Sequence, residues 1–169
     1  MKILIVSDSH GRSDLLYRVA LIENPDMVIH LGDLEDNVDS VASKLGSPEI
    51  PCVFIAGNCD RRSQGNMQDW SVFTLKGHRF FCTHGNLVNV HYGLDRLVYS
   101  ALENKCDIAL YGHTHVPFDG FEDDAFGSIK IHVLNPGSIA RPRSMEGKTY
   151  MIMDLHDSGA YEVKLKTLH

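Results

Sequence analysis

Gly112-His113-Thr114-His115 places two imidazoles two residues apart, directly after Asp107-Ile108-Ala109-Leu110-Tyr111, a run that reads as a buried strand. Such a pair can be aimed at one edge of a sheet. Four other segments repeat the arrangement of ligand-type residues after an apolar run. Asp8-Ser9-His10 follows Lys2-Ile3-Leu4-Ile5-Val6, and Gly32-Asp33 follows Met27-Val28-Ile29-His30-Leu31. Gly57-Asn58-Cys59-Asp60 follows Cys52-Val53-Phe54-Ile55-Ala56, and His84-Gly85 follows Phe80-Phe81-Cys82-Thr83. Core packing alone does not call for oxygen and imidazole groups at five strand ends.

The candidate ligands are Asp8, His10, Asp33, Asn58, His84, His113 and His115. A mixed set of carboxylate, amide and imidazole suits borderline divalent metals such as manganese, iron, zinc, cobalt or nickel; magnesium would ask for more oxygen and a structural zinc for more thiolate. Seven ligands exceed one tetrahedral site and suit two ions sharing a bridge. Two metals roughly 3.5–4 Å apart stabilise both the attacking and the leaving oxygen of an in-line displacement at phosphorus, and lower the pKa of bound water to about 7.

These groups are positioned by alternating elements. Residues 2–7, 27–31 and 52–56 read as strands. Leu15, Leu16, Val19, Ala20 and Glu23 fit a helix stopped near Asn24-Pro25, and Val38, Val41, Ala42 and Leu45 fit a shorter one ending at Gly46. A β-α-β-α-β order implies parallel strands joined by right-handed crossovers. Beyond Trp70, Ser71–Leu75 and Arg79–Thr83 flank a hairpin turn, Leu94 to Leu102 carry a helical stripe, and 107–111 is a further strand. Ser128–Leu134, Thr149–Leu155 and Tyr161–Leu165 read as antiparallel strands. Ligands of open α/β sheets bind beyond the carboxyl ends of strands, so the five clusters are expected in one pocket of a single domain spanning 1–169.

The ordered series Asp-x-His, Gly-Asp, Gly-Asn-x-Asp, His-Gly and Gly-His-x-His resembles the calcineurin-like metallophosphoesterase superfamily. Short length and Asn135-Pro136-Gly137-Ser138, followed by Arg141-Pro142-Arg143, make the chain similar to the small YfcE-like phosphodiesterase family. The resemblance implies a four-layer α-β-β-α sandwich of two mixed sheets. It implies that Asp8, His10 and His115 hold one metal, that Asn58, His84 and His113 hold the other, and that Asp33 bridges them. A metal-bridging hydroxide would then be the nucleophile for in-line attack on phosphorus, with manganese the expected ion and nickel an alternative. Cys59-Asp60 stands where the wider superfamily often has a leaving-group acid, His. A thiol, with a reference pKa of about 8.5, is a poorer acid than imidazolium, so either leaving-group quality governs the rate or another residue donates the proton. Phosphodiesters are favoured over monoesters on the resemblance alone.

Other residues carry open alternatives. Arg12, Arg61 and Arg62 could meet a substrate phosphate or be solvated charges. His91 could reach the rim as a proton donor or lie in a solvated loop, and Asn58 could simply adopt a left-handed conformation. His30 is expected to be packed, His78 to sit in a turn, and His132, His156 and His169 to be on the surface. Asn135 to Ser138 read as a tight turn at the site floor, and Asn86 as an uncertain neighbour of it.

Composition narrows the function classes. With 43% hydrophobic residues, 22% charged residues and a net charge of −6, the chain lacks the basic surface that stable nucleic-acid binding needs. No stretch approaches a membrane span, and the first apolar run is too short for a signal peptide. Cys52, Cys59, Cys82 and Cys106 show no zinc-ribbon spacing, which leaves a reduced, cytoplasmic protein as the expectation; a homo-oligomer stays open. The rival to a small-phosphoester hydrolase is a protein-interaction scaffold, since the chain also resembles, more distantly, the metallophosphoesterase-like subunit of the eukaryotic retromer coat. Loss of ligands would favour that rival, and all seven are present.

Overall fold

Alternation within the strands sorts side chains into three apolar layers. In β1 (Lys2–Val6), Ile3 and Ile5 face one way and Leu4 and Val6 the other, as the period of two requires. Ile3 and Ile5 join Ile29 of β2 (Met27–His30) in a cluster that also contains Phe80, Ile108 and Leu110. Leu4 and Val6 pack instead on Leu16 and Val19 of α1 (Ser13–Glu23) and Val41 of α2 (Val38–Leu45). The computed structural model describes residues 1–169 apart from 62, 63, 124–126 and 128.

The first sheet has the order β10-β9-β1-β2-β3. Here β3 is Cys52–Phe54, β9 is Thr149–Leu155 and β10 is Tyr161–Thr167. β1, β2 and β3 are parallel, and β9 runs antiparallel to both β1 and β10. The second sheet has the order β4-β5-β6-β8-β7: β4 Trp70–Leu75, β5 His78–Thr83, β6 Ile108–Leu110, β7 Pro117–Asp123 and β8 Lys130–Pro136. β5, β6 and β8 are parallel, with antiparallel edges at β4 and β7. The outer face of this sheet is closed by α3 (Asp95–Glu103), whose Leu97, Val98 and Ala101 meet Phe81, Ala109 and Val133. The result is the four-layer α-β-β-α sandwich.

Local chemistry explains the helix ends. Asn37 accepts from the Ser40 amide at the start of α2, and Gly46, with φ of 97°, closes it; a left-handed glycine at that position returns the last carbonyls to backbone donors. α1 ends at Asn24 in the left-handed region, one residue before Pro25.

Five expectations are corrected. His78 opens β5 rather than sitting in the turn before it, since Leu75 is its ladder partner. β8 is parallel to β6 and antiparallel only to β7, because it returns to the second sheet beside an inner strand. β7 was not among the expected strands, because Pro117, Asp119 and Gly120 argue against one; it is the edge strand of its sheet, where proline is tolerated. β8 runs to Pro136, so Asn135 and Pro136 end a strand rather than form a turn; the expected start at Ser128 lies outside the described residues. His132 is buried, not on the surface, because β8 is a covered inner strand. No helix among the described residues is long and apolar enough to cross a membrane.

Candidate metal centre

The parallel strands of both sheets end at the same side of the sandwich, and after β1, β2 and β6 the chain leaves in a tight left-handed turn. Asp8, His10, Asp33, Glu35, His113 and His115 all have φ between 46° and 67°, a region that non-glycine residues seldom occupy. Asn58 is not among them, so its left-handed alternative is set aside. Space is equally tight. A Cβ on Gly57 would lie 2.1 Å from Asp33 Oδ1, and one on Gly112 would lie 2.0 Å from Ser7 Oγ. Only glycine lets these loops approach so closely.

Hydrogen bonds at the far ring nitrogens fix the imidazoles. His84 Nδ1 donates to the Leu31 carbonyl at 2.7 Å, and His115 Nδ1 to the Arg141 carbonyl at 2.5 Å. His10 Nδ1 is paired with Glu35 Oε1. When Nδ1 carries the proton of a neutral ring, Nε2 presents a lone pair. Those lone pairs converge. His10 Nε2 and His115 Nε2 are 3.3 Å apart, and His115 Nε2 is 3.1 Å from Asp8 Oδ1. His84 Nε2 is 3.2 Å from Asn58 Oδ1 and 3.5 Å from Asp33 Oδ1. Asp33 turns its other oxygen to His10, 3.9 Å from Nε2. Asp8 Oδ1 is buried without a hydrogen-bond donor.

Acceptors facing acceptors in a buried site require positive charge. Electrostatics agree. Burial lowers the proton affinity of His84 and His115, yet the facing carboxylates of Asp33 and Asp8 outweigh it and raise both above the usual imidazole value. Asp33 is held below the ordinary carboxylate range; burial opposes this, but His84 and the Cys59 amide prevail. His113 is pushed down to about 4 by burial and by the neighbouring His84 and His91, which leaves it neutral and able to ligate.

Three groups of ligand atoms each lie within 4.8 Å of one another: Asp8, His10 and His115; Asp8, Asp33 and His84; and His10, Glu35 and the exposed Cys59. Asn58 adjoins the second through His84. His113 stands at its margin, its ring 5.0 Å from that of His84 and its amide on Asp8 Oδ2. The donor set and the orphaned Asp8 oxygen fit a dinuclear site.

Neighbouring residues do other work. Both oxygens of Asp60 accept backbone amides, from Glu35 and from Gly57, so it clamps two ligand-bearing loops together. Cys59 is exposed, and its thiol is pushed up to about 12 by burial and by Asp33. His30 is buried and neutral, pushed down to about 4 by burial, and bonded to Ser9 Oγ. His91 is exposed but tilts over His113 at 4.6 Å. Arg12 pairs with Asp14, and Arg62 lies outside the described residues. Sequence reasoning missed Glu35; a carboxylate two residues beyond Asp33 was the signal available.

A model of the calcineurin-like phosphoesterase superfamily domain matches residues 1–158. The chain belongs to that superfamily. Among its metallophosphoesterase relatives, the probable metallophosphoesterase YsnB of Bacillus subtilis is 31% identical over 165 residues, 95% of this chain and 88% of YsnB. The phosphodiesterase YfcE of Escherichia coli K12 is 26% identical, covering 91% of this chain and 88% of its own. A predicted phosphoesterase from Streptococcus pneumoniae, known by crystal structure, superposes with a TM-score of 0.79 at 31% identity, over 98% of this chain and 88% of that one. The chain therefore shares the sandwich of this relative along nearly its whole length.

Proposed function

We propose that the protein is a dinuclear, metal-dependent phosphodiesterase. The observation that carries this reading is the convergence of Nε2 atoms on carboxylate and amide oxygens and on one another. Asp8, His10 and His115 would hold one ion and Asn58, His84 and His113 the other. Asp33 would serve both, since its two oxygens face the two groups separately. Manganese suits this set of oxygen and imidazole ligands. Bound there, the ions would acidify a water molecule and neutralise charge gathering on the phosphoryl oxygens.

The chain's own residues supply orientation. Glu35, Arg141 and Leu31 fix the tautomers of His10, His115 and His84 through their oxygens. Asp60 and the Cys59 amide fix Asp33 and its neighbours from the other side. The thiol of Cys59 is a poor proton donor, so turnover should fall steeply as the leaving group becomes more basic; a flat dependence with chemistry limiting would remove this element. Preference for diesters rests on similarity to YfcE, itself a phosphodiesterase. Four free thiols, two of them buried, support a reducing, cytoplasmic setting.

The test is metal content and turnover together. Protein loaded with manganese should bind two equivalents and hydrolyse bis(4-nitrophenyl) phosphate faster than 4-nitrophenyl phosphate, and a chelator should abolish both activities. Full loading without turnover on any phosphoester would instead favour a scaffold.

A further inference from the structure

Beside the centre runs a groove of about 1040 Å³ that contributes no ligand. It begins at Gly57 and Asp60, on either side of Asn58, and follows the chain from Met67 to Val72. The sheets dictate its position. Ile55 forms a parallel bridge to Gln68, which is where the chain crosses from the first sheet to the second. Two residues later Trp70 pairs with Thr83, the residue immediately before His84. The groove thus opens at the strand ends that carry the candidate ligands.

Trp70 is the only tryptophan, and it is 52% exposed. Its indole stacks on Phe81, centroids 6.1 Å apart and planes inclined by 21°, which holds the ring flat while leaving indole surface uncovered in the groove. Asn66 and Gln68 bring amides to the same wall. Arg61, next in the chain to Asp60, lines the end nearest the centre and has no ion pair among the described residues. Asp60 presents no free carboxylate oxygen there, since both accept backbone amides.

A rigid aromatic platform, amides at its edge and a cation toward the phosphoryl site match the chemistry of a nucleobase joined to phosphate. An alkyl chain would use neither the amides nor the arginine. The volume is ample for one nucleoside, pockets for small ligands spanning roughly 300–1,000 Å³. The chain's net charge of −6 opposes a long polynucleotide. We propose that the groove holds a nucleoside as one ester substituent of the phosphodiester, its base stacked on Trp70. For the reaction, this inference rests on the phosphodiesterase reading; for binding it does not.

Adenosine 5′-monophosphate titrated into the manganese-loaded full chain should quench Trp70 fluorescence saturably, with no second tryptophan to obscure the signal. Ribose 5-phosphate, which lacks the base, should not. By calorimetry, Trp70→Ala should weaken adenosine 5′-monophosphate about tenfold, and Trp70→Phe should restore most of the affinity. In turnover, the ratio of kcat/KM for a nucleoside diester to that for a base-free diester should fall about tenfold in Trp70→Ala, chiefly through KM. Equal quenching by ribose 5-phosphate overturns the proposal, as does an unaltered ratio. Base-dependent quenching in a protein that hydrolyses no phosphoester would uphold the groove and sink the hydrolase reading instead.

Discussion

Two clusters of histidine and carboxylate occupy this sandwich, and they differ in how their protons balance. At the strand ends carrying Asp8, Asp33 and His115, imidazole nitrogens face oxygens and one another, and a buried carboxylate oxygen lacks a donor. In the other, His132 lies between Asp119 Oδ1 at 2.7 Å and the Tyr161 hydroxyl at 2.8 Å. His78 there donates to Asp107 and, at 2.6 Å, to the Gly159 carbonyl. Every ring nitrogen of the second cluster has a complementary partner. It ties β10 of the first sheet to β5 and β8 of the second, and no divalent ion is needed. Residue type therefore does not mark a metal site; unmatched lone pairs do.

The contrast can be broken most forcefully at Gly57. Gly57→Ala drives a methyl group into Asp33, and a displacement of about 1 Å in such a site costs on the order of 100-fold in rate. Turnover should fall by at least that factor while manganese stoichiometry, measured by elemental analysis, drops below two. Unchanged stoichiometry would mean that Asp33 does not serve both groups.

A smaller effect is expected from the partner of His10. Glu35→Gln keeps the shape but weakens the hold on Nδ1, and changes of this kind cost about 10–100-fold in metal affinity or activity. Titrating manganese against the variant measures it, and wild-type affinity would assign Glu35 no part in orienting His10.

The smallest effect belongs to the satisfied cluster. Burial alone would lower His78, but Asp107 and the Gly159 carbonyl outweigh it and raise its pKa above the ordinary value. A raised imidazole stabilises the fold fully below its unfolded pKa of about 6.5 and ceases to do so as pH rises through the folded value. Both groups are partly exposed, so the contribution is no more than about 1 kcal/mol. Asp107→Asn should be more destabilising at pH 6 than at pH 8 in urea melts, with manganese stoichiometry unaffected. Equal destabilisation at both values would show that His78 carries no charge in the fold.

The strands bearing ligands were legible because each combines an apolar run with a glycine or a polar residue at its carboxyl end, two signals that agree. β7 was illegible because its pairing partner, not its own composition, makes it a strand. His132 was misplaced because strand periodicity does not say which faces a second sheet will cover. Candidate ligands could be collected from motifs, whereas Glu35 and the carbonyls of Leu31 and Arg141 could not. Their part depends on ring orientation, which no spacing encodes. Trp70 likewise drew notice only as a boundary until its ladder partner put it beside His84.

The strap from β8 to β9 has a consequence for how the protein is made. Ser138 Oγ donates to the Asp8 carbonyl, Arg141 receives His115, and β9 supplies one of the two ladder neighbours of β1. A ribosome must therefore release β9 before β1 can settle between both of its neighbours. Until then, the segment carrying Asp8 and His10 waits without the strap that buttresses it.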